Sequence, residues 1–146
     1  MKATLVFFGK ASKFAESECQ KYLKRMRNVQ ILELKESKKS TPSEKLLEEW
    51  KSLEKVLKKR PLVALTEEGN LFSSVAFSEK LADQFPRDFC FVVGSAYGLH
   101  ADCKKYASLK LSLSPMTLTH DHARVLLVEQ LYRAVCIQAG HPYHHV

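Results

Sequence analysis

The run Phe89-Cys90-Phe91-Val92-Val93 constrains this chain more than any other segment. Five consecutive apolar residues leave no polar face for solvent, so the run reads as a central parallel strand covered on both sides. Such a strand needs helices above and below its sheet, and the rest of the chain has the patterning to supply them. The run opens directly into Gly94-Ser95-Ala96-Tyr97-Gly98. Glycines there let the backbone turn tightly and approach a ligand, although a purely structural turn explains them equally well.

Around this strand the sequence alternates between two periods. Thr4 to Phe8 predicts a strand ending at Gly9, and Ala15, Cys19, Tyr22, Leu23 and Met26 share one face of a helix expected from Ser12 to Arg27. Val29 to Leu34 alternates as a strand and is followed by a lysine-rich loop, Lys35 to Ser40. Thr41, Pro42 and Glu44 then form a capping pattern with proline in the first turn. The helix they open carries Leu46, Leu47, Trp50, Leu53 and Leu57 on one stripe and is expected to end near Arg60-Pro61, with Trp50 in the core.

Leu62 to Leu65 reads as a strand, Glu67 to Asn70 as a turn containing Gly69, and Ser74 to Gln84 as a helix with Phe77 and Leu81 inward. A short helix is expected near Asp102 to Ala107, a strand through Leu109, Leu111 and Leu113, and a loop from Ser114 to His120. Asp121 begins a last helix bearing Val125, Leu126, Val128, Leu131, Tyr132 and Val135. This is an α/β pattern, a mostly parallel sheet flanked by helices, in which ligands collect beyond the carboxyl ends of strands. The loops after Leu65, Val93 and Leu113 occupy such ends. With 146 residues, 45% hydrophobic composition and no repeat or linker, residues 1–146 are expected to form a single domain.

The net charge of +7 is unevenly placed. Residues 1–60 hold 16 Lys/Arg against 8 Asp/Glu, whereas the remainder holds 7 against 8. A basic half suits contact with a phosphate backbone; a solvated lysine-rich face is the alternative, and charge alone does not separate RNA from DNA. Cys19, Cys90, Cys103 and Cys136 fall at irregular spacings without a C-x-x-C pair, which favours reduced thiols. The apolar start is too short and too soon charged for a signal peptide, and no run reaches membrane-spanning length, so a cytoplasmic protein is expected, with no membrane partner.

Several familiar chemistries fail on spacing. A P-loop requires Lys-Ser/Thr after its second glycine, and a hydrolase elbow requires serine centred in G-x-S-x-G; here serine directly follows Gly94. A dinucleotide fingerprint would follow the first strand, where Gly9 stands alone. All six histidines lie after position 99, but no cysteine pair accompanies them, so no metal site is expected. Histidine near the tail suits proton transfer or RNA contact and Tyr143 suits base stacking, with disorder of the tail as the alternative.

The segments VVGSAYGLH, LSLSPMTLTHDHARVLLVEQLYRA and HPYHHV, with the first strand and Gly9-Lys10 and the Leu65-to-Gly69 turn, resemble the large-subunit rRNA pseudouridine methyltransferases called RlmH, of the SPOUT superfamily. The resemblance spans essentially the whole chain and is most specific in its C-terminal third. It implies a SPOUT-type α/β fold whose C-terminal segment forms a deep trefoil knot. It further implies S-adenosylmethionine as methyl donor, without a metal, held by Leu65, Gly94, Leu113, Ser114, Pro115, Met116, Thr117 and Leu118. The implied reaction is methylation of N3 of a pseudouridine in helix 69 of 23S rRNA on the assembled ribosome, by a homodimer whose partner subunit completes each site; DNA is not an implied partner.

Around the target base the resemblance places His120, Arg124, Tyr143 and His144, with Arg124 on a phosphate or base carbonyl and His144 or solvent handling the proton. Glu129 and Arg133, four apart on a helix, read as a structural ion pair. The homodimer would account for apolar residues around the circumference of the last helix, as would a wholly intramolecular core. Two positions depart from the family pattern: Ser95 stands where a second glycine is usual, and His145 where the tail usually carries a permanent cation. Transfer to a different RNA nucleotide, and a ribosome-binding module without transferase activity, are the competing readings.

Overall fold

The computed structural model describes residues 1–145. Five strands alternate with five helices in chain order: β1 (Lys2–Phe8), α1 (Lys13–Leu23), β2 (Val29–Leu34), α2 (Pro42–Leu57), β3 (Leu62–Leu71), α3 (Ser74–Gln84), β4 (Asp88–Val93), α4 (Ala101–Tyr106), β5 (Leu109–Ser112) and α5 (His120–Ala139). Helix starts are written in local chemistry. The hydroxyls of Ser12, Thr41, Ser73 and Thr119 each accept from a backbone N–H three residues on, satisfying donors that the first turn leaves open. At Thr41 the Glu44 carboxylate also accepts from the threonine hydroxyl at 3.0 Å.

The strands form one sheet in the order β2-β1-β4-β3-β5, every pairing parallel. The apolar run of β4 lies at its centre, and alternate residues feed two separate cores. Leu5, Phe7, Phe89, Phe91 and Val63 meet Cys19, Phe77, Leu81, Leu127 and Leu131 on the face covered by α1, α3 and α5. Val6, Phe8, Cys90, Val92 and Ala64 meet Trp50, Leu53, Leu57 and Cys103 on the face covered by α2 and α4.

Some boundaries differ from the sequence expectation. The stretch Glu67 to Asn70 is not a free turn: β3 continues through it to Leu71 and pairs again with β5 after an irregularity between Leu65 and Asn70. A Cβ at Gly69 would lie 2.7 Å from the Leu111 backbone, so the close approach of β5 requires glycine. The stripe of α2 includes Trp50, Leu53 and Leu57 as expected, but Leu47 is exposed and Glu49 is buried in its place. That helix stops at Leu57, because Lys58 and Lys59 take positive φ of 50° and 63° before Pro61 is reached.

Helix α5 packs between α1 and α3. Leu127, Val128, Leu131, Tyr132, Ala134 and Cys136 are buried within this one chain, so its apolar circumference is accounted for largely without a partner; Leu126 remains exposed. All four cysteines are free and buried. Burial pushes the Cys19 thiol up to about 11 and the Cys103 thiol up to about 12, which removes both as thiolate nucleophiles at neutral pH. Among the described residues no helix is long and apolar enough to cross a membrane.

Candidate functional site

Parallel strands leave their carboxyl ends on one edge, and there the loops after β3, β4 and β5 surround a cleft of about 920 Å³. Its walls include Leu65 from β3, Val93 from β4 with Gly94 just beyond it, and Leu111 from β5. The segment Leu113, Ser114, Pro115, Met116, Thr117 and Leu118 closes another side. Thus all eight positions expected to hold a cofactor line one cavity, together with His120, whereas Arg124, Tyr143 and His144 do not line it.

Each wall is fixed by its sequence. At Gly94 a Cβ would meet the Gly98 carbonyl oxygen at 2.3 Å, so the loop is folded on itself where only hydrogen fits. Gly98 takes a φ of +84° and donates its N–H to Ser95 O at 2.9 Å, closing the turn. In the β5–α5 segment the Ser112 hydroxyl donates to Ser114 O at 2.9 Å, and the Ser114 hydroxyl accepts from the Met116 N–H at 2.9 Å. These internal bonds hold an extended wall whose Met116 side chain is 74% exposed.

The cleft fits an adenosine-like group. Leu65, Leu111, Leu113 and Leu118 offer apolar walls, while loop backbone supplies polar groups for hydrogen bonding. Gly94 provides a close backbone approach that a side chain would fill. At one margin the Nε2 of His120 is buried without a hydrogen-bond partner. Burial, then the nearby Arg124 guanidinium, pulls His120 below the usual histidine value despite neighbouring carboxylates, so the ring is neutral at pH 7. Among the described residues no cluster of three or more His, Cys, Asp or Glu is placed to hold a metal.

Arg124 sits one turn after His120 and is only 2% exposed. It donates to the Glu33 carboxylate at 2.6 Å and to Gly9 O at 3.2 Å, and its guanidinium lies 4.1 Å from the Phe7 ring centroid. The side chain therefore locks α5 to the ends of β1 and β2. Burial raises Glu33, but Arg124 and the Ala11 N–H outweigh it and hold the carboxyl below its ordinary value.

Tyr143 and His144 are anchored elsewhere on α5 rather than loose. The Tyr143 hydroxyl donates to Glu129 at 2.8 Å, its ring stacks edge-on to Tyr132, and the Arg133 guanidinium covers it at 4.7 Å. Arg133 pairs with Glu129, as the four-residue spacing predicts, and donates to His144 Nδ1 at 3.1 Å. Since arginine only donates, Nδ1 accepts and the neutral ring carries its proton on Nε2. Burial, then the bond to Glu129, raises the Tyr143 phenol above its ordinary range, so it stays protonated. At ~1.5 Å rise per residue, His120 and Arg133 lie about 20 Å apart along α5. One chain does not unite His120 with the tail.

Several residues at and behind the cleft escaped the sequence reading. Glu36, within the lysine-rich loop, lines the cavity, and Glu49 accepts the Ser95 hydroxyl at 2.8 Å. The only signal for Glu49 was its position one residue before Trp50 on the apolar stripe, which helical spacing leaves ambiguous.

The model of a family described as predicted SPOUT methyltransferase matches residues 1–144. The chain is 38% identical over 141 residues to ribosomal RNA large subunit methyltransferase H of Prochlorococcus marinus strain NATL2A, covering 96% of this chain and 93% of that protein. It is 36% identical over 160 residues to the protein of the same name in Streptococcus sanguinis strain SK36, covering 99% of each. Among solved structures, TrmJ from Z. mobilis ZM4 superposes with a TM-score of 0.58 at 9% identity, over 92% of this chain and 70% of that one. The SpoU methyltransferase AviRb from Streptomyces viridochromogenes, in complex with the cofactor AdoMet, gives a TM-score of 0.50 at 13% identity, over 94% of this chain and 58% of that one. At these identities the two structures establish likeness of fold alone.

Proposed function

This chain belongs to the SPOUT methyltransferase family, and from that premise we propose that it transfers the methyl group of S-adenosylmethionine to large-subunit ribosomal RNA. The observation that carries the reading is the convergence of Leu65, Gly94 and the whole 113–118 segment on one cleft at the carboxyl edge of the sheet. Relatives at 36–38% identity over nearly their full length bear the name ribosomal RNA large subunit methyltransferase H. The finer proposal is N3 of a pseudouridine in helix 69 of 23S rRNA as acceptor, on the assembled ribosome in the cytoplasm. It extends to a single domain over residues 1–146, a homodimer and a C-terminal trefoil knot.

S-adenosylmethionine, when bound, supplies an already activated methyl, so the protein chiefly aligns the acceptor and assists loss of its imide proton. The apolar walls at Leu65, Leu113 and Leu118 would clasp the adenine, with Gly94 backbone close against it. His120, neutral and with Nε2 unpartnered at the cleft margin, would face the acceptor base. Arg124 acts by holding that end of α5 in place. His144, its Nδ1 capped by Arg133, offers Nε2–H as a donor to a base carbonyl, which leaves the proton to His120 or solvent. Tyr143, a protonated donor to Glu129, holds the tail. The separation of His120 from this tail supports a second copy bringing its own tail to the cleft.

The basic first 60 residues suit the phosphate-rich surface of such a substrate. The test is transfer of labelled methyl from S-adenosylmethionine to ribosomes lacking the modification, with free rRNA as control and mass analysis of the nucleosides. Label in 3-methylpseudouridine on ribosomes alone is the expected result. Label in another nucleoside overturns the acceptor, and no label overturns the activity.

A further inference from the structure

Glu49 is the one buried carboxylate among the described residues, at 5% exposure, and it forms no salt bridge there. Its two oxygens are divided between loops. Oε1 accepts from the Ser95 hydroxyl at 2.8 Å, and Oε2 accepts from the Ser37 N–H at 2.9 Å. Ser95 lies in the glycine loop after β4, and Ser37 follows Glu36 in the loop after β2; Ser95 and Glu36 both line the cleft. A single side chain of α2 thus ties two walls of the cavity to the rigid layer behind them.

Burying a carboxylate without a cation is an expensive route to stability, and a neutral side chain of the same shape generally serves the fold as well. What the charge adds is strength and direction in the hydrogen bonds it accepts, roughly doubling them against neutral ones. From this we infer that Glu49 is a positioning residue for the cofactor, acting through Ser95. It holds the Gly94–Gly98 loop, whose backbone folds so tightly that a Cβ at Gly94 has no room, at the spacing from the opposite wall that the adenosine moiety requires. In this chain the hydroxyl of Ser95 therefore gives the loop an anchor that a second glycine cannot provide. The inference rests on the cleft being the S-adenosylmethionine site.

The test measures the dissociation constant of S-adenosylhomocysteine, an unreactive form of the cofactor, by calorimetry, alongside the melting temperature. The proteins are wild type, Ser95→Ala, Glu49→Gln and the double variant. Each single change is expected to raise the constant by roughly five- to tenfold, from one weakened charge-assisted bond. The double variant should stay within about twofold of Ser95→Ala, since without the hydroxyl the Glu49 charge has no hold on the loop. Ser95→Ala should lower the melting temperature by a few degrees, because it leaves a buried carboxylate oxygen without its donor, whereas Glu49→Gln should stay near wild type. Effects that multiply in the double variant, or a lowered melting temperature with unchanged affinity, overturn the inference. Wild-type protein that binds no S-adenosylhomocysteine overturns the cofactor reading together with this one, whereas tight binding by all four proteins overturns this one alone.

Discussion

Gly94→Ala puts the cofactor loop to a steric test. The added methyl carbon would lie 2.3 Å from Gly98 O, 2.7 Å from its carbonyl carbon and 3.0 Å from Leu99 Cδ2, whereas ordinary contact begins at 3.4 Å. Relief requires the two halves of the loop to separate by roughly 1 Å, because the nearest atoms are backbone and have no rotamer to change. Gly98 is constrained differently, by its φ of +84°, and a Cβ there meets nothing within 4 Å.

Overpacking of this kind costs about 1–3 kcal/mol of stability. At ~2–4 °C per kcal/mol for a chain of this size, the melting temperature should fall by roughly 2–12 °C, leaving the protein folded at 25 °C. A misplacement of ~1 Å at a site that must align donor and acceptor costs on the order of 10²-fold in rate, equivalent to about 2.7 kcal/mol. Single-turnover methyl transfer to modification-deficient ribosomes at 25 °C, with circular dichroism as the check on folding, reads both quantities. A Gly94→Ala protein that turns over within threefold of wild type would refute the assignment of this loop to the cofactor.

His120 has its pKa depressed, chiefly by burial, so the unfolded chain binds a proton more readily than the native one. Stability associated with this site is fully present above the ordinary value near 6.5 and is lost as pH falls below it. The melting temperature should drop between pH 7 and pH 5, and His120→Gln should flatten that slope; an unchanged slope refutes the depressed value. Glu33 is also lowered, despite burial, because Arg124 and the Ala11 N–H favour its charged form, so its contribution is fully present above the ordinary carboxylate value and is lost as pH falls towards its own lower one. For the lysine-rich loop, Lys38→Ala with Lys39→Ala should weaken ribosome binding and reduce the dependence of log affinity on log salt by about 1–2, from two lost phosphate contacts. An unaltered salt slope places the RNA on another face.

Local patterns carried most of the architecture. The apolar runs of β1 and β4, the mixed apolar and polar spacing of β2, and the capping pattern at Thr41 all act within a few residues, so they were legible without a fold. The cofactor positions came from resemblance, and the sequence pattern added only that they follow strand ends. Tertiary structure decided what depends on distant partners. Residues 67–71 are strand because β5, 41 residues on, has backbone to pair with Asn70 and Leu71. Glu49 is buried because Ser37 and Ser95 meet it from two loops, and Arg124 is a lock because Glu33, 91 positions earlier, lies against it. A charged residue on a helix reads as solvent-facing when only its neighbours in sequence are seen; whether its charge is buried depends on donors that the chain brings to it from elsewhere.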